Sequence, residues 1–367
     1  MSLNRNGPFS KISTWIRASG TGGLRISATS RGPAMPMKSL LKTTVLTIDD
    51  ACLRGYIALF PDRSAIRGLV FHTVFQNPEE LGRAEILPQQ RLQIEDYRRI
   101  FIYFLEHGYT FISYKDLQTG LNPEKNYIYL TLDDGYFNNM QLLPILEEFN
   151  IPVHIFITTK NIEENKKFWW DIVYENRTRQ GWSLRRIKGE LEKLNTGTAA
   201  AVDEFICSEF GSDAYVPKSD LDRPLSLEEL KVLSQHELVT VGNHTHEHLI
   251  ATRITKEQFR KEILRAEKIL QAFHIEIKGF AFPNGQYFQN HFSVLEECGV
   301  QQGFSTEERL FYSGEQFSPE TRYRLGRFSL SASFNLEYQC RVVRAGGSPL
   351  RRLMRSWIAR RFANLII

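Results

Sequence analysis

Three short runs in this sequence could do chemistry, and they lie far apart in the chain. The first is Thr131-Leu-Asp133-Asp134-Gly135. Neighbouring side chains on a strand point to opposite faces, so two adjacent carboxylates cannot share one space while the strand stays regular. Gly135 lets the chain turn at once, after which one carboxylate can bind a cation while the other stays free as a base. The second run is Gly242-Asn-His244-Thr-His246-Glu-His248, which holds three of the chain's nine histidines. His244 and His248 stand four apart, a spacing at which one helical turn presents both imidazoles to one metal ion and directs His246 elsewhere. The third is Phe280-Ala-Phe-Pro283-Asn284-Gly285, a strand ending in a rigid proline and a flexible glycine. Backbone N–H groups at such a turn can face an oxyanion. Taken singly, each run also has a plainer reading: a surface turn, a solvated histidine-rich loop, and an ordinary strand-to-turn junction.

Each run needs an element to hold it. Gly68 to Phe75 and Tyr127 to Leu132 read as buried strands, followed by strands at Val153–Ile157, Glu237–Gly242, Lys278–Phe282 and Gly303–Thr306. Helical stretches separate them. Gln90 to Gly108 carries Ile94, Tyr97, Ile100, Phe101 and Phe104 on one face, and Pro152 stops a helix over Phe137 to Asn150. Ser226 with Glu229, and Thr255 with Gln258, have the spacing of capping boxes that open two more helices. The alternation predicts an α/β fold with a parallel, barrel-like sheet, in which chemistry collects at the C-terminal ends of the strands. All three runs fall at such ends. Residues 161–225 break the rhythm with polar, helix-prone sequence and are expected as an insertion over the barrel mouth.

The rest of the chain bounds the function. With 42% apolar and 24% charged residues, 367 residues can build a sizeable core. A net charge of +4 is too mild to imply a nucleic-acid partner. Four cysteines without C-x-x-C spacing argue against a disulfide framework or a cysteine zinc site and favour a reducing compartment. No run of about 18 apolar residues predicts a membrane span, and no apolar h-region marks a signal peptide. Residues 1–48 lack Asp and Glu and carry Arg5, Lys11, Arg17, Arg25, Arg31, Lys38 and Lys42. They read as a disordered basic leader, or in a eukaryote as a transit peptide; a start at Met37 would remove most of it. Residues 345–367 read as a basic amphipathic helix, with Arg351, Arg352, Arg355, Arg360 and Arg361 among apolar residues at helical spacing. Such a helix can cap the barrel or lie on an anionic membrane, so the expected location is cytoplasmic or peripheral to the membrane.

Taken together and in this order, Leu-Thr-Leu-Asp133-Asp134-Gly135-Tyr136, His244-Thr-x-x-His248 and Phe-Ala-Phe-Pro283-Asn284-Gly285 resemble the first three motifs of polysaccharide deacetylases, the NodB-homology proteins of carbohydrate esterase family four. The resemblance spans roughly residues 68–330 and includes Phe-Trp169-Trp170-Asp at 168–171. It implies a distorted (β/α)7 barrel over 66–340, with the helical insertion and the C-terminal amphipathic helix as additions. It also implies that Asp134, His244 and His248 bind a divalent metal, zinc being the expected ion, and that Asp133 is the general base. Two departures stand out. Phe280 occupies the place where many members carry an arginine that orients the base. The late Leu-x-His motif that supplies the general acid is missing, and after Pro283 the only histidine is His291. Phe71-His72-Thr73, on the first strand, resembles a permuted arrangement found in some branches and makes His72 the expected acid.

The implied reaction is hydrolysis of N-acetyl groups on a polysaccharide or glycan precursor. A water held on the metal is the nucleophile, made acidic toward ~7, and Asp133 accepts its proton. The metal and the backbone near Tyr136 would hold the oxyanion, and His72 would protonate the departing amine. Trp169 and Trp170 could stack on sugar faces, or pack within the insertion. Two rival functions follow from the same residues. One is hydrolysis of small cyclic or linear amides on the same barrel. The other, motivated by the missing arginine and late histidine, is a glycan-binding homologue without catalysis.

Overall fold

The computed structural model describes residues 37–60, 62, 64–312 and 319–348. The chain divides into two compact units, residues 1–46 and 47–367. Of the first, the described part is the start of the helix Met37–Leu59. Residues 37–48, expected within a disordered leader, are therefore helical; residues 1–36 of that leader lie outside the described residues. So do residues 349–367, which carry the expected amphipathic helix. Its first residues, 345–348, turn rather than continue the helix Leu336–Arg344, and Gly346 and Gly347 take positive φ. No helix among the described residues is long and apolar enough to cross a membrane.

The second unit is built on an eight-stranded sheet. Its strands are β1 (Ile66–Phe71), β2 (Thr110–Phe111), β3 (Tyr127–Leu132), β4 (Val153–Ile157), β5 (Val239–Asn243), β6 (Ile277–Ala281), β7 (Gly303–Phe304) and β8 (Arg327–Phe328). The order is β7-β6-β5-β4-β3-β1-β8, with β2 off that path on β3, and every ladder is parallel. β2 pairs with the first residues of β3, Tyr127 and Ile128, and β4 with its last three. Just before β8, Leu325 donates to the Gly303 carbonyl at 2.9 Å and accepts from Ser305 N–H at 2.8 Å. These two bonds nearly close a barrel whose wall is β1 and β3 to β8.

Side-chain parity sorts the wall into an outer and an inner face. On β3, Ile128, Leu130 and Leu132 face outward, into a core shared with Tyr97, Ile100, Phe101 and Phe104 of the helix Ile94–Glu106. Tyr127 and Tyr129 face inward with Phe156, Ala281 and Phe304. Both faces are covered, so β1, β3 and β4 are buried along their whole length, which is why they read as near-continuous apolar runs. Inside the barrel His154 donates from Nε2 to the Lys278 carbonyl at 2.7 Å and accepts the Tyr129 hydroxyl proton on Nδ1 at 2.6 Å. Burial pushes its pKa down to about 3, so this histidine stays neutral and structural.

Gly242 shows how tightly the interior is filled. A Cβ there would stand 2.4 Å from Phe156 Cδ1 and 2.6 Å from His154 Nε2. Gly242→Ala is expected to cost about 1–3 kcal/mol through overpacking, read as a lower urea midpoint at unchanged m-value. A wild-type midpoint would show that the ring of Phe156 yields freely.

Both expected capping boxes form. Ser226 accepts from Glu229 N–H and Thr255 from Gln258 N–H, with each N3 side chain bonded back to the cap. The interrupting segment forms helices Trp169–Arg179, Leu184–Leu194 and Ala199–Phe210. They pack around Phe168, Ile172, Val173, Ile187, Leu191, Val202 and Ile206, against Phe75, Ile86 and Tyr136 from the barrel top. Buried Lys167 sits between Glu175 at 2.6 Å and Asp222 at 2.8 Å. That charge is fully paired, so the segment has a core of its own rather than the loose polar character its composition suggests.

Candidate metal and active site

Strand parity also aims the candidate residues. Asp133 continues the inward row Tyr127, Tyr129, Thr131. His72 continues β1 after Phe71, and His244 follows Gly242 two residues on. Asp133 N–H still donates to Phe71 O at 2.9 Å, and His244 N–H to Ile157 O at 2.9 Å, so both remain tied to the sheet.

The chain leaves β3 abruptly. Asp134 has φ +80° and Gly135 φ +91°, a left-handed pair that ends the alternation and brings a second carboxylate over the mouth. The turn thus begins at Asp134 itself, one residue earlier than the glycine alone suggests. Left-handed backbone at a non-glycine costs about 1–2 kcal/mol and persists here within fixed surroundings: Thr158 N–H donates to Asp134 O at 3.2 Å.

The helical turn expected for His244 and His248 does not form. The segment is a loop in which Thr245 (φ +69°) and His248 (φ +56°) are left-handed, and Asn243 Oδ1 accepts Thr245 N–H at 2.8 Å. The loop still delivers both imidazoles to one point. His246 does turn away, to the Thr159 hydroxyl at 2.9 Å.

Asp134 Oδ1 lies 3.5 Å from His244 Nε2 and 3.4 Å from His248 Nε2, and one ligand atom from each residue lies within 4.8 Å of the others. Oδ1 is buried and has no hydrogen-bond partner. Such an orphan normally costs about 1–3 kcal/mol, which marks this point as fit for a cation. The spacing fits one: bonds of about 2.0–2.1 Å at tetrahedral angles give ligand separations of roughly 3.3–3.4 Å. His244 Nδ1–H donates to Ala281 O at 2.8 Å, which leaves the Nε2 lone pair free to ligate. Burial would raise the Asp134 carboxyl, but the two imidazoles outweigh it and hold it well below the usual carboxylate range. The donor set of two imidazoles and one carboxylate suits zinc with positions left open.

Beside this triad, Asp133 is gripped by a residue that the sequence analysis missed. Arg327, on β8 across the barrel, donates from Nη1 to Asp133 Oδ1 at 2.7 Å and from Nη2 to Oδ2 at 2.8 Å. It also reaches Thr131 Oγ1 at 2.8 Å and Ser305 O at 3.0 Å. Burial would raise the Asp133 carboxyl, and the guanidinium overrides it, holding the group ionised. The arginine missing at Phe280 is thus supplied by another strand, while Phe280 is a core residue against Phe259 and Phe282. One sequence signal could have found it, the lone charge in Leu325-Gly-Arg327-Phe-Ser-Leu330; in the fold Gly68 makes room for it, since a Cβ there would meet Arg327 Cγ at 2.9 Å. Arg327→Met should leave Asp133 buried without a counter-charge, at a cost of about 3–5 kcal/mol. Denaturant unfolding that matches wild type would remove Arg327 from this role.

His72 lines the same cavity of about 270 Å³ as Asp133, Asp134, His244, His248 and Asn284. Its Nδ1 is 3.3 Å from Gln90 Oε1, which also accepts His72 N–H at 3.2 Å. Gln90 is fixed in turn by Val70 O and Ser329 Oγ. An amide oxygen only accepts, so Nδ1 carries the proton and Nε2 is left to face the cavity. His291 is a buried structural residue whose Nδ1 accepts Phe288 N–H at 2.9 Å.

Tyr136 turns its side chain into the insertion. Its hydroxyl donates to Asp171 Oδ2 at 2.7 Å and accepts Trp170 Nε1–H at 2.7 Å. Asp171 Oδ1 accepts Leu87 N–H at 2.7 Å, and burial pushes its carboxyl up to about 7. Trp170 is buried, stacked on Phe168, and packs its ring 4.9 Å from that of His248. Trp169 is half-buried in the cavity wall. Asn284 is left-handed (φ +55°) and lines the cavity. Pro283 is buried, and Gly285 fits against Thr306 so closely that a Cβ would lie 2.0 Å from its hydroxyl.

Fold and site together define a NodB-type (β/α) barrel with a hydrolase-like mouth. The polysaccharide deacetylase family model matches residues 120–303, half of the chain, and the chain belongs to that family. Among solved structures it is similar to Streptococcus pyogenes deacetylase PplD in complex with acetate, at 16% identity over 75% of this chain and 96% of that one, with a TM-score of 0.50. IcaB from Ammonifex degensii gives 15% identity over 77% and 97%, TM-score 0.49. The BpsB deacetylase domain from Bordetella bronchiseptica gives 15% over 74% and 99%, TM-score 0.47. At these identities the likeness is one of fold. No curated protein matches the chain. Family membership supports a hydrolase acting on the N-acetyl groups of a glycan.

Proposed function

We propose that this chain is a divalent-metal-dependent glycan N-deacetylase with Asp133 as base and His72 as acid. The observation that carries it is the buried, unpartnered Asp134 Oδ1 facing two imidazole Nε2 atoms at 3.4 and 3.5 Å. Asp134, His244 and His248 would hold the ion, with zinc the best fit to two nitrogens and an oxygen. When bound, the ion supplies Lewis acidity, polarising the acetyl carbonyl and acidifying the attacking water toward ~7.

The remaining work belongs to side chains. Asp133 takes the proton that the water loses as it attacks the acetyl carbon. Arg327 keeps that carboxylate ionised and fixed in orientation, so it is always ready to accept. His72 acts as the imidazolium: with Nδ1–H held on Gln90 Oε1, it gives up its Nε2 proton to the departing amine nitrogen and is left neutral, with Nδ1–H still in place. Breaking the C–N bond then yields acetate and the free amino sugar. The turn at Asn284 and the backbone near Tyr136 border the carbonyl oxygen. Trp169 offers a ring face to the sugar, while Trp170 braces His248. Arg327 also supplies the group whose apparent absence motivated the non-catalytic reading.

The test is acetate release from a panel of N-acetylated glycans and small cyclic amides, with and without chelator. Release from glycans, lost on chelation and restored by zinc, is the expected result. Purified protein that binds no divalent ion, or acetate release that ignores chelator, overturns the proposal.

A further inference from the structure

Two features stand outside the mechanism above: the charge at both ends of the chain and the outer face of the helix Met37–Leu59. Residues 1–48 and 349–367 hold 7 and 5 of the chain's 46 lysines and arginines and none of its acids. Residues 49–348 therefore carry the other 34 against all 42 aspartates and glutamates, a side-chain net charge of −8 flanked by segments of +7 and +5. Segregation of this kind points to a charged partner rather than to folding.

The two basic segments join the acidic body at one point. Asp49 and Ser348, its first and last residues, are bonded to each other: Ser348 Oγ donates to Asp49 Oδ1 at 2.9 Å, and the Tyr338 hydroxyl donates to Oδ2 at 2.6 Å. Arg341 holds the neighbouring Asp50 at 2.7 Å. Asp49 and Leu53 turn the inner face of the helix to the body and are buried. Its outer face is apolar and exposed. Ile48, Ala51, Cys52, Gly55, Ala58 and Leu59 recur at three- and four-residue spacing, which sets them along one side. Ile48 is 51% exposed, Leu59 77%, and Phe60 just beyond them 54%. The exposed charge beside this face, Arg54, is answered by Asp50 at 3.0 Å.

Exposed apolar surface beside concentrated positive charge fits the headgroup region of an anionic bilayer. The acyl boundary takes the side chains, and the lipid phosphates take the arginines. A nucleic acid would use the charge and leave the apolar face in water. A second copy of this chain would cover the face but bring like charges together.

We propose that this corner of the protein, the outer face of residues 48–60 with the basic segments that join beside it, docks on an anionic phospholipid membrane. The same surface repels the net −8 of the body, so this corner approaches it and the rest is held off. No step of the proposed reaction enters this inference.

The full chain is sedimented with vesicles of phosphatidylcholine alone and of phosphatidylcholine with about 30% phosphatidylglycerol. Wild type should bind the anionic vesicles about tenfold or more tighter than the neutral ones, and lose that preference in about 0.5 M salt. Ile48→Gln/Leu59→Gln removes exposed apolar surface without changing charge and should weaken binding to anionic vesicles about tenfold. Arg351→Ser/Arg352→Ser/Arg355→Ser should weaken it by at least as much, since each arginine near such a surface is worth about fivefold. Both helix positions are exposed, so the fold should stand, as far-UV circular dichroism checks. If the double variant unfolds, Leu59→Gln alone takes its place. Equal binding to both kinds of vesicle, binding to neither, or anionic-vesicle binding that either variant leaves unchanged overturns the proposal. So does a dimer that Ile48→Gln/Leu59→Gln dissolves, which would assign the face to a second copy, or duplex DNA bound more tightly than the anionic vesicles.

Discussion

His244→Ala protein, equilibrated with zinc and then dialysed, is expected to retain little of the ion that wild type keeps. In the proposed site His244 is one of the three ligands found among the described residues, and its Nε2 is aimed by the 2.8 Å bond from Nδ1–H to Ala281 O. Loss of an outer partner alone costs metal sites about 10–100-fold in affinity, so loss of the ligand should cost more. Turnover should fall roughly 10³-fold, because the ion is credited with several kcal/mol of transition-state stabilisation and each ~1.4 kcal/mol is tenfold in rate. Metal quantification alongside acetate release checks both. A variant that keeps one equivalent of zinc and wild-type turnover would remove His244 from the site.

Asp133→Asn should behave in the opposite sense: full metal, almost no turnover. The carboxylate is not a ligand of the triad. Its two oxygens face Arg327 at 2.7 and 2.8 Å. An amide of the same shape can accept only one of those bonds and cannot take up the water's proton. A loss of about 10²–10⁴-fold in kcat is expected, the usual worth of a positioned general base. Turning one amide NH2 toward a guanidinium also costs stability, so the variant is compared with Arg327→Met in denaturant. Normal turnover in Asp133→Asn would end its assignment as base, whatever the metal content.

On the proposed function, the two variants divide the site into a part that binds and a part that moves a proton. Adjacent residues serve both because the extended backbone that continues β3 through Asp133 breaks at Asp134. Asp133 keeps the strand's inward parity, and Asp134 escapes it through a left-handed turn. Asp133 and Asp134 are both nearly buried, so neither charge is tolerable alone. One is matched by Arg327 and the other by the imidazoles, and the orphaned Oδ1 marks where the second match is incomplete.

Much of this was legible from sequence. The strands at Tyr127–Leu132 and Val153–Ile157 are found within their expected bounds, because burial on both faces forces unbroken apolar runs. The capping boxes at Ser226 and Thr255 depend on bonds three residues apart, so local spacing suffices to reveal them. The two imidazoles of the His244–His248 spacing do come together, with ring centroids 5.0 Å apart, but not through the helical turn expected. Two imidazoles can meet at one point from a loop as well as from a helix, and the positive φ values at Thr245 and His248 have no compositional signature.

What the sequence determined by itself is the set of reactive groups and their placement at strand ends. Those follow from parity and turn chemistry, which act over a few neighbouring residues. Only the tertiary structure decided that Arg327, 194 positions from Asp133, closes on it across the barrel, that Ala281 O selects the His244 tautomer, and that Trp170 braces His248. Each of these depends on which strand or insertion helix lies beside which, and such pairings are settled when the barrel closes, not by any local pattern along the chain.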